Sequence, residues 1–234
     1  MAAEGLLIFD KPMGPTSFAC VSLARRALGV ERIGHCGTLD PLAQGILLLL
    51  LGTATKRQND FLSLDKEYRF RARWGIQTDT ADIQGKTLAE CPPPIVAPES
   101  LQAVMTSFVG ETMQMPPKVS ALKYKGKPRY VWARRGIEVP RFARPVRIDR
   151  FELIASDSLT WEARVVCSRG TYIRALIEDV AGRFGALAVM ESLVRERVGP
   201  HTLAQALSWE SLRSIPRLEL ETHVHPIGAD TRIV

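Results

Sequence analysis

A mixed α/β fold of the α+β type, with a largely antiparallel central sheet flanked by helices, is what this sequence predicts. Three observations carry the prediction. Apolar and polar residues alternate over residues 67–74 and 159–167, the two-residue period of a half-buried strand. Other apolar residues recur at helical spacing, as Ile173, Leu176, Ile177, Val180 and Phe184 do. The two kinds of pattern follow one another without a regular strand-helix-strand rhythm, which argues against a doubly wound parallel sheet.

The elements follow in chain order. Residues 5–9 form a short apolar strand that ends at Asp10-Lys11-Pro12. Thr16 or Ser17 then caps a helix with Phe18, Val21, Ala24 and Leu28 on one face, and Gly29 closes it. Residues 46–51 are apolar without interruption, as in a strand covered on both faces. In the next strand Tyr68, Phe70, Ala72 and Trp74 share one face, while Glu67, Arg69, Arg71 and Arg73 share a face that is wet or meets an anion. Pro98 opens a helix with Leu101, Val104, Met105 and Phe108 as its stripe, and Gly110 stops it. Strands are expected at 146–153 and 159–167, a helix after Thr171 that Gly185 caps, a strand at 193–198 and a helix from about 202 to 212.

A chain of 234 residues, 46% hydrophobic and 24% charged, buries a core without needing disulfides or a structural metal. The longest apolar run has six residues, far short of a membrane span. Met1-Ala2-Ala3-Glu4 lacks the basic and apolar regions of a signal peptide, so a cytoplasmic protein is expected. Cys20, Cys36, Cys91 and Cys167 form no CxxC pair, which suits neither a zinc site nor a thioredoxin-like motif.

Charge is concentrated. Residues 118–150 hold eleven Lys and Arg against Glu138 and Asp149, a local +9 in a chain whose total is +6. Such a field suits a polyanion, and Tyr124, Tyr130 and Trp132 lie among these charges, able to stack on bases. Asp79 and Asp82 stand in a loop without further clustered ligands and read as turn caps or arginine partners, so no metal is assigned.

The densest group of special residues is Gly34-His35-Cys36-Gly37-Thr38-Leu39-Asp40-Pro41-Leu42-Ala43-Gln44-Gly45. Pro41 biases Asp40 toward extended backbone, fixing a carboxylate where a loop enters the sheet. By residue chemistry alone Asp40 is a nucleophile, a base, a metal ligand or a turn residue. No Gly-Lys-Ser/Thr ends the run, so it is not a phosphate-binding P-loop.

This run, with Gly52-Thr53-Ala54-Thr55-Lys56, resembles the signature of the TruB family of tRNA pseudouridine-55 synthases. The resemblance continues through Asp10-Lys11-Pro12, Lys66-Glu67-Tyr68-Arg69, Thr78-Asp79-Thr80-Ala81-Asp82, Ser120-Ala121-Leu122-Lys123, Arg169-Gly170-Thr171-Tyr172-Ile173-Arg174, Leu193-Val194-Arg195 and Val198-Gly199-Pro200. These motifs occur in family order from residue 5 to about residue 210.

The resemblance implies the pseudouridine synthase fold and isomerisation of a uridine in the TΨC loop of tRNA without a cofactor. It makes Asp40 the catalytic aspartate, Arg174 its partner and Tyr68 the tyrosine that stacks on the target base. His35 matches the residue that fills the gap left by a flipped base, Tyr172 and Leu193 the lining of the uracil pocket, and Lys11 and Lys56 positions near the RNA or the active site. The basic window overlaps an RNA-clamping insertion at about 116–145, which makes Lys123, Lys125, Lys127, Arg129, Arg134 and Arg144 the expected contacts to RNA backbone. The expected organisation is a catalytic domain over 1–215 and a tail over 216–234, a monomer with tRNA as partner, no obligatory protein partner and no membrane.

Two positions depart from the family pattern, Cys36 for Thr or Gly and His201 for Phe. Family members commonly carry a C-terminal RNA-binding domain, and only 22 residues follow Leu212 here, which leaves the T-arm as the expected binding surface. The competing readings are a guide-dependent synthase, a non-catalytic RNA binder, and a glycoside hydrolase, the last without a visible second carboxylate.

Overall fold

Residues Ile46 to Leu51 have no exposed surface, and the strand Gln44–Leu51 that contains them is covered on both faces as its composition requires. Alternation sorts its side chains. Leu47, Leu49 and Leu51 join Leu7, Phe9, Cys20, Val21, Leu28 and Leu212 in one apolar cluster. Ile46, Leu48 and Leu50 join Leu6, Ile8, Cys36, Ala54, Phe61 and Val198 in another. Each leucine so buried stabilises the fold by about 1.5–3 kcal/mol relative to leaving it in water.

The computed structural model describes residues 3–227. The chain groups into two units, one made of the chain up to Tyr68 together with the chain from Val194 onward, the other of residues 69–193. In the first, Gly5–Lys11 pairs antiparallel with Gln44–Leu51 from Gly5↔Leu51 to Lys11↔Gly45. Ile33–His35 pairs antiparallel with the far end of the same strand. Val194 and Arg195 pair with Gln44 and Gly45 in parallel. The helix Ser17–Leu28 has Thr16 as N-cap and Gly29 in the left-handed conformation as its stop.

In the second unit Arg144–Ser156 lies antiparallel to both Thr160–Cys167 and Gly110–Gln114. Phe70, Trp74, Phe151, Trp161 and Phe184 pack ring against ring, Phe70 on Trp161 at 5.3 Å. The helix Pro98–Thr106 is stapled to the sheet by Gln102, whose amide donates to the Phe151 carbonyl at 3.0 Å and accepts from Leu153 N–H at 2.7 Å. The fold is therefore mixed α/β with a mostly antiparallel sheet, as expected. No helix among the described residues is long and apolar enough to cross a membrane.

Several expectations change. Phe18 is 68% exposed, because the buried face of its helix runs through Cys20, Val21, Leu23, Ala24 and Leu28. The expected helix over 202–212 is two pieces. A capping box between Thr202 and Gln205 closes a short 3-10 turn, Leu207 then exchanges backbone hydrogen bonds with Ile8 and Asp10, and Ser208 caps a new helix, Trp209–Ser214. The expected tail contains another helix, Arg217–Thr222, and Val224–His225, paired with Gly5–Lys11; residues 228–234 lie outside the described range. The face of Arg69, Arg71 and Arg73 is wet and paired: Arg69 with Glu162, and Arg71 and Arg73 with the shared Glu191 at 3.0 and 3.6 Å.

Candidate active site

Asp40 is half-buried in the loop between Ile33–His35 and Gln44–Leu51. Its carbonyl accepts from Ala43 N–H at 3.0 Å, which closes a turn with Pro41 in the position that proline's fixed φ favours. Three buried polar side chains hold this loop by its backbone. Lys11, fully buried, donates from Nζ to the carbonyls of Ala43 at 2.6 Å, Pro12 at 3.0 Å and Pro41 at 3.3 Å. Ser17 Oγ donates to the Leu39 carbonyl at 3.0 Å and accepts Leu39 N–H at 2.9 Å. Arg195 donates from Nε to Ile46 at 2.7 Å and from Nη2 to Gly37 at 3.1 Å.

The result is a carboxylate on a turn whose backbone is fixed on both sides. Glycine is required at residue 45, since a Cβ there would lie 2.3 Å from the Arg195 carbonyl across the parallel pairing. Burial pushes the Lys11 ammonium down to about 8, with Arg195 adding to the drop and Cys20 and Asp40 opposing it. Burial also pushes the Cys36 thiol up to about 12, which keeps the loop's cysteine protonated and unsuited to nucleophilic work.

His35 is half-buried, its Nδ1 has no hydrogen-bond partner, and burial together with the Arg195 charge lowers its pKa, so the imidazole is neutral near pH 7. Lys56 is exposed on the 3-10 helix Gly52–Arg57. Tyr68 is half-buried at the start of the strand Lys66–Trp74, one step along its face from the buried Phe70, so an aromatic at the rim of a core keeps an accessible part.

In the second unit Arg174 stands in the first turn of the helix Ile173–Gly182 and is 4% exposed. It is no surface arginine. Nη1 donates to the Thr80 carbonyl at 2.5 Å and Nη2 to the Val119 carbonyl at 3.1 Å, so it ties the motif at residues 78–82 to the residue that precedes the Ser120 motif. Tyr172, half-buried, is held by its backbone: Gln114 accepts its N–H at 2.8 Å and donates to its carbonyl at 3.1 Å. Leu193 is buried in the strand Ala188–Val198. Asp79 and Asp82 cap turns, accepting from Lys86 N–H and from Thr80 and Gln84.

The insertion is built from a two-residue hairpin and a one-turn helix. Lys125 and Gly126, both at positive φ, join Lys123–Tyr124 to Lys127–Pro128, as right-twisted strands require of a tight turn. Tyr124 and Trp132 pack edge to face, and Trp132 Nε1 donates to the Tyr124 carbonyl, so each ring orients the other. Tyr130 is exposed, with Arg134 over its ring at 5.4 Å. Lys123, Lys125, Lys127, Arg134 and Arg144 are exposed, whereas Arg129 is 6% exposed.

Ser17 and Arg195 are the residues that sequence reasoning passed over. Ser17 reads as a helix cap and Arg195 as one letter of a motif; their partners lie 22 and up to 158 residues away, beyond any local pattern.

Comparison with known proteins gives these arrangements a context. The profile of the TruB family pseudouridylate synthase N-terminal domain matches residues 25–173. The chain is 43% identical over 213 residues to tRNA pseudouridine synthase B of Aromatoleum aromaticum, covering 91% of this chain and 69% of that protein. It is 40% identical over 215 residues to the protein of the same name from Endomicrobium trichonymphae, covering 92% of this chain and 94% of that one. Among solved structures, a chain of a Cbf5-Nop10-Gar1 complex superposes with a TM-score of 0.73 at 26% identity, over 96% of this chain and 60% of that longer one.

Proposed function

This chain belongs to the TruB family of pseudouridylate synthases, and from that premise we propose that it isomerises the uridine at position 55 in the T loop of tRNA, with Asp40 as the catalytic carboxylate. In this reaction the N1–C1′ bond breaks, the uracil turns, a C5–C1′ bond forms, C5 loses its proton and N1 gains one. Atoms balance without a cofactor. The observation that carries the reading is the loop of Asp40. A reacting carboxylate gains rate from being held in one geometry, and the backbone of Gly37, Leu39, Pro41 and Ala43 is fixed by Arg195, Ser17 and Lys11.

The remaining roles follow the motif positions. Arg174 partners the aspartate, and Tyr68 stacks on the base, with its hydroxyl near the C5 proton. Extruding the uridine costs a few kcal/mol of unstacking, and a neutral His35 fills the gap it leaves. Tyr172 and Leu193 line the uracil pocket, and Lys11 holds the loop rather than touching RNA. The exposed Lys123, Lys125, Lys127, Arg134 and Arg144 supply phosphate contacts to the T-arm. Relatives near 40% identity carry the name of a tRNA enzyme, which favours a protein acting alone in the cytoplasm over a guide-dependent one.

The test is an unmodified tRNA transcript labelled with tritium at uridine C5, incubated with the purified chain and a chelator. One tritium released per tRNA, with the pseudouridine mapped to the T loop, is the expected result. Release from another position overturns the site assignment. Binding without release makes the chain an RNA binder only.

A further inference from the structure

Gln114 ends the strand Gly110–Gln114 and is the one buried residue in it, 4% exposed on a strand whose other residues meet water in part or in full. A buried amide is costly unless its donor and its acceptor are both used. Here a single residue uses both. Oε1 accepts Tyr172 N–H at 2.8 Å and Nε2 donates to the Tyr172 carbonyl at 3.1 Å, the pair of bonds that a residue on an adjacent antiparallel strand would offer. The amide can face only one way, since turning it over would set donor against donor and acceptor against acceptor.

Tyr172 is where the helix Ile173–Gly182 begins. It stands at the N-cap in extended backbone, its side chain makes no capping bond, and its carbonyl also accepts Leu176 N–H at 3.0 Å, which opens the helical ladder. The chain reaches it through a turn in which Gly170 has positive φ. Upstream, that turn is tied to the strand Arg144–Ser156 by Ser168, whose N–H donates to the Arg147 carbonyl and whose hydroxyl accepts Arg147 N–H, both at 2.9 Å. Gln114 ties its downstream end, so the helix starts from a fixed place.

We propose that Gln114 is a positioning residue for the isomerisation, setting through the backbone of Tyr172 the places of the Tyr172 ring and of the Arg174 guanidinium. This rests on the function proposed above, in which Tyr172 lines the uracil pocket and Arg174 partners the catalytic carboxylate. Arg174 has little room to correct for a moved helix start: it is 4% exposed, and its Nη1 and Nη2 donate to the Thr80 and Val119 carbonyls. A misplacement of about 1 Å at a reacting centre can cost about a hundredfold in rate. Gln102 supplies the comparison. It clamps the Phe151 carbonyl and the Leu153 N–H in the same two-bond manner, from a helix that carries none of the candidate site residues. If such a clamp served stability alone, the two glutamines would behave alike.

The experiment uses the whole chain. Single-turnover pseudouridine formation on the unmodified transcript is followed over a range of enzyme concentrations for wild type, Gln114→Leu, Gln114→Glu and Gln102→Leu, each below its melting transition. Gln114→Leu should lower the saturating rate by about tenfold or more and keep the half-saturating concentration within about threefold of wild type. Gln102→Leu should lower the melting temperature and keep the saturating rate within about threefold. Gln114→Glu adds a pH signature. A protonated carboxyl has one donor and one acceptor and repeats the pattern of the amide, whereas the carboxylate only accepts and opposes the Tyr172 carbonyl. The saturating rate of Gln114→Glu relative to wild type should therefore rise by about fivefold or more from about pH 8 to about pH 5. This variant carries the test if Gln114→Leu does not fold. A wild-type rate in Gln114→Leu, an equal loss of rate in Gln102→Leu, or a relative rate of Gln114→Glu that is flat with pH overturns the proposal. A wild type that forms no pseudouridine overturns the proposed function and this role with it, whereas an active wild type matched by Gln114→Leu overturns this role alone.

Discussion

The loop of residues 36–43 and the hairpin of residues 123–128 both depend on cationic side chains, but the loop is held by buried ones and the hairpin exposes its own. Lys11 and Arg195 are buried, and with Ser17 they bond to the backbone on either side of Asp40. Lys123, Lys125 and Lys127 are exposed on a two-residue hairpin. Buried donors aimed at carbonyls fix a conformation, whereas exposed cations create a field that salt screens. Substitutions in the loop should therefore change rate and stability, and substitutions in the insertion should change affinity and its salt dependence.

The largest expected effect is that of Asp40→Asn, which removes the carboxylate and leaves the hydrogen bonds from Lys11 and Ser17 to the loop intact. Turnover in the tritium assay should fall below detection while tRNA binding stays within a few-fold of wild type. Ser17→Ala tests the clamp itself, since Leu39 N–H and C=O both lose their partner in a buried place. A stability loss of about 1–3 kcal/mol is expected, seen as a melting temperature lower by roughly 2–12 °C, with a turnover at saturating RNA reduced by tenfold or more. Tyr68→Phe should keep binding and lose much of the rate; if Tyr68→Leu proves equally active, the side chain is packing alone.

On the insertion side, replacing Lys123, Lys125 and Lys127 with Ala should flatten the salt slope of tRNA affinity by up to about 3, with a change in stability within about 0.5 kcal/mol. The smallest effect is a pH dependence. The folded-state pKa of Lys11 lies near 8, below the unfolded value of 10.5, so the unfolded chain binds more protons between these values. The contribution of this group to stability therefore rises with pH across that window and is flat below it. Between pH 8 and 9, below the range where the raised thiols of Cys20 and Cys36 act in the opposite sense, Lys11→Met should abolish the rise in a series of denaturant titrations.

Local patterns were legible where one segment sets its own environment. The unbroken apolar run predicted a strand covered on both faces, and Thr16 and Gly29 bounded their helix as their chemistry dictates. What escaped is contact between distant segments. The arginine face of Lys66–Trp74 reads as wet or meeting an anion, and the carboxylates that pair with it, Glu162 and Glu191, come from strands far along the chain. Gly110–Gln114 has no clean alternation, with Met113 exposed, and is a strand because Arg144–Ser156 supplies its hydrogen bonds. In the candidate site, Asp40 stood out through the glycines and proline around it, whereas the side chains that hold its loop come from 22 to 158 residues away.

The most direct measurement sets the two regions side by side. Single-turnover pseudouridine formation is followed over a range of enzyme concentrations for Ser17→Ala and for the triple lysine variant, on the same transcript and at the same salt. Ser17→Ala should lower the saturating rate and leave the half-saturating concentration near wild type, while the lysine variant should raise that concentration and leave the saturating rate unchanged. If both variants move the same parameter, or if Ser17→Ala weakens RNA binding at an unchanged saturating rate, the division between a loop that sets chemistry and an insertion that sets affinity is contradicted.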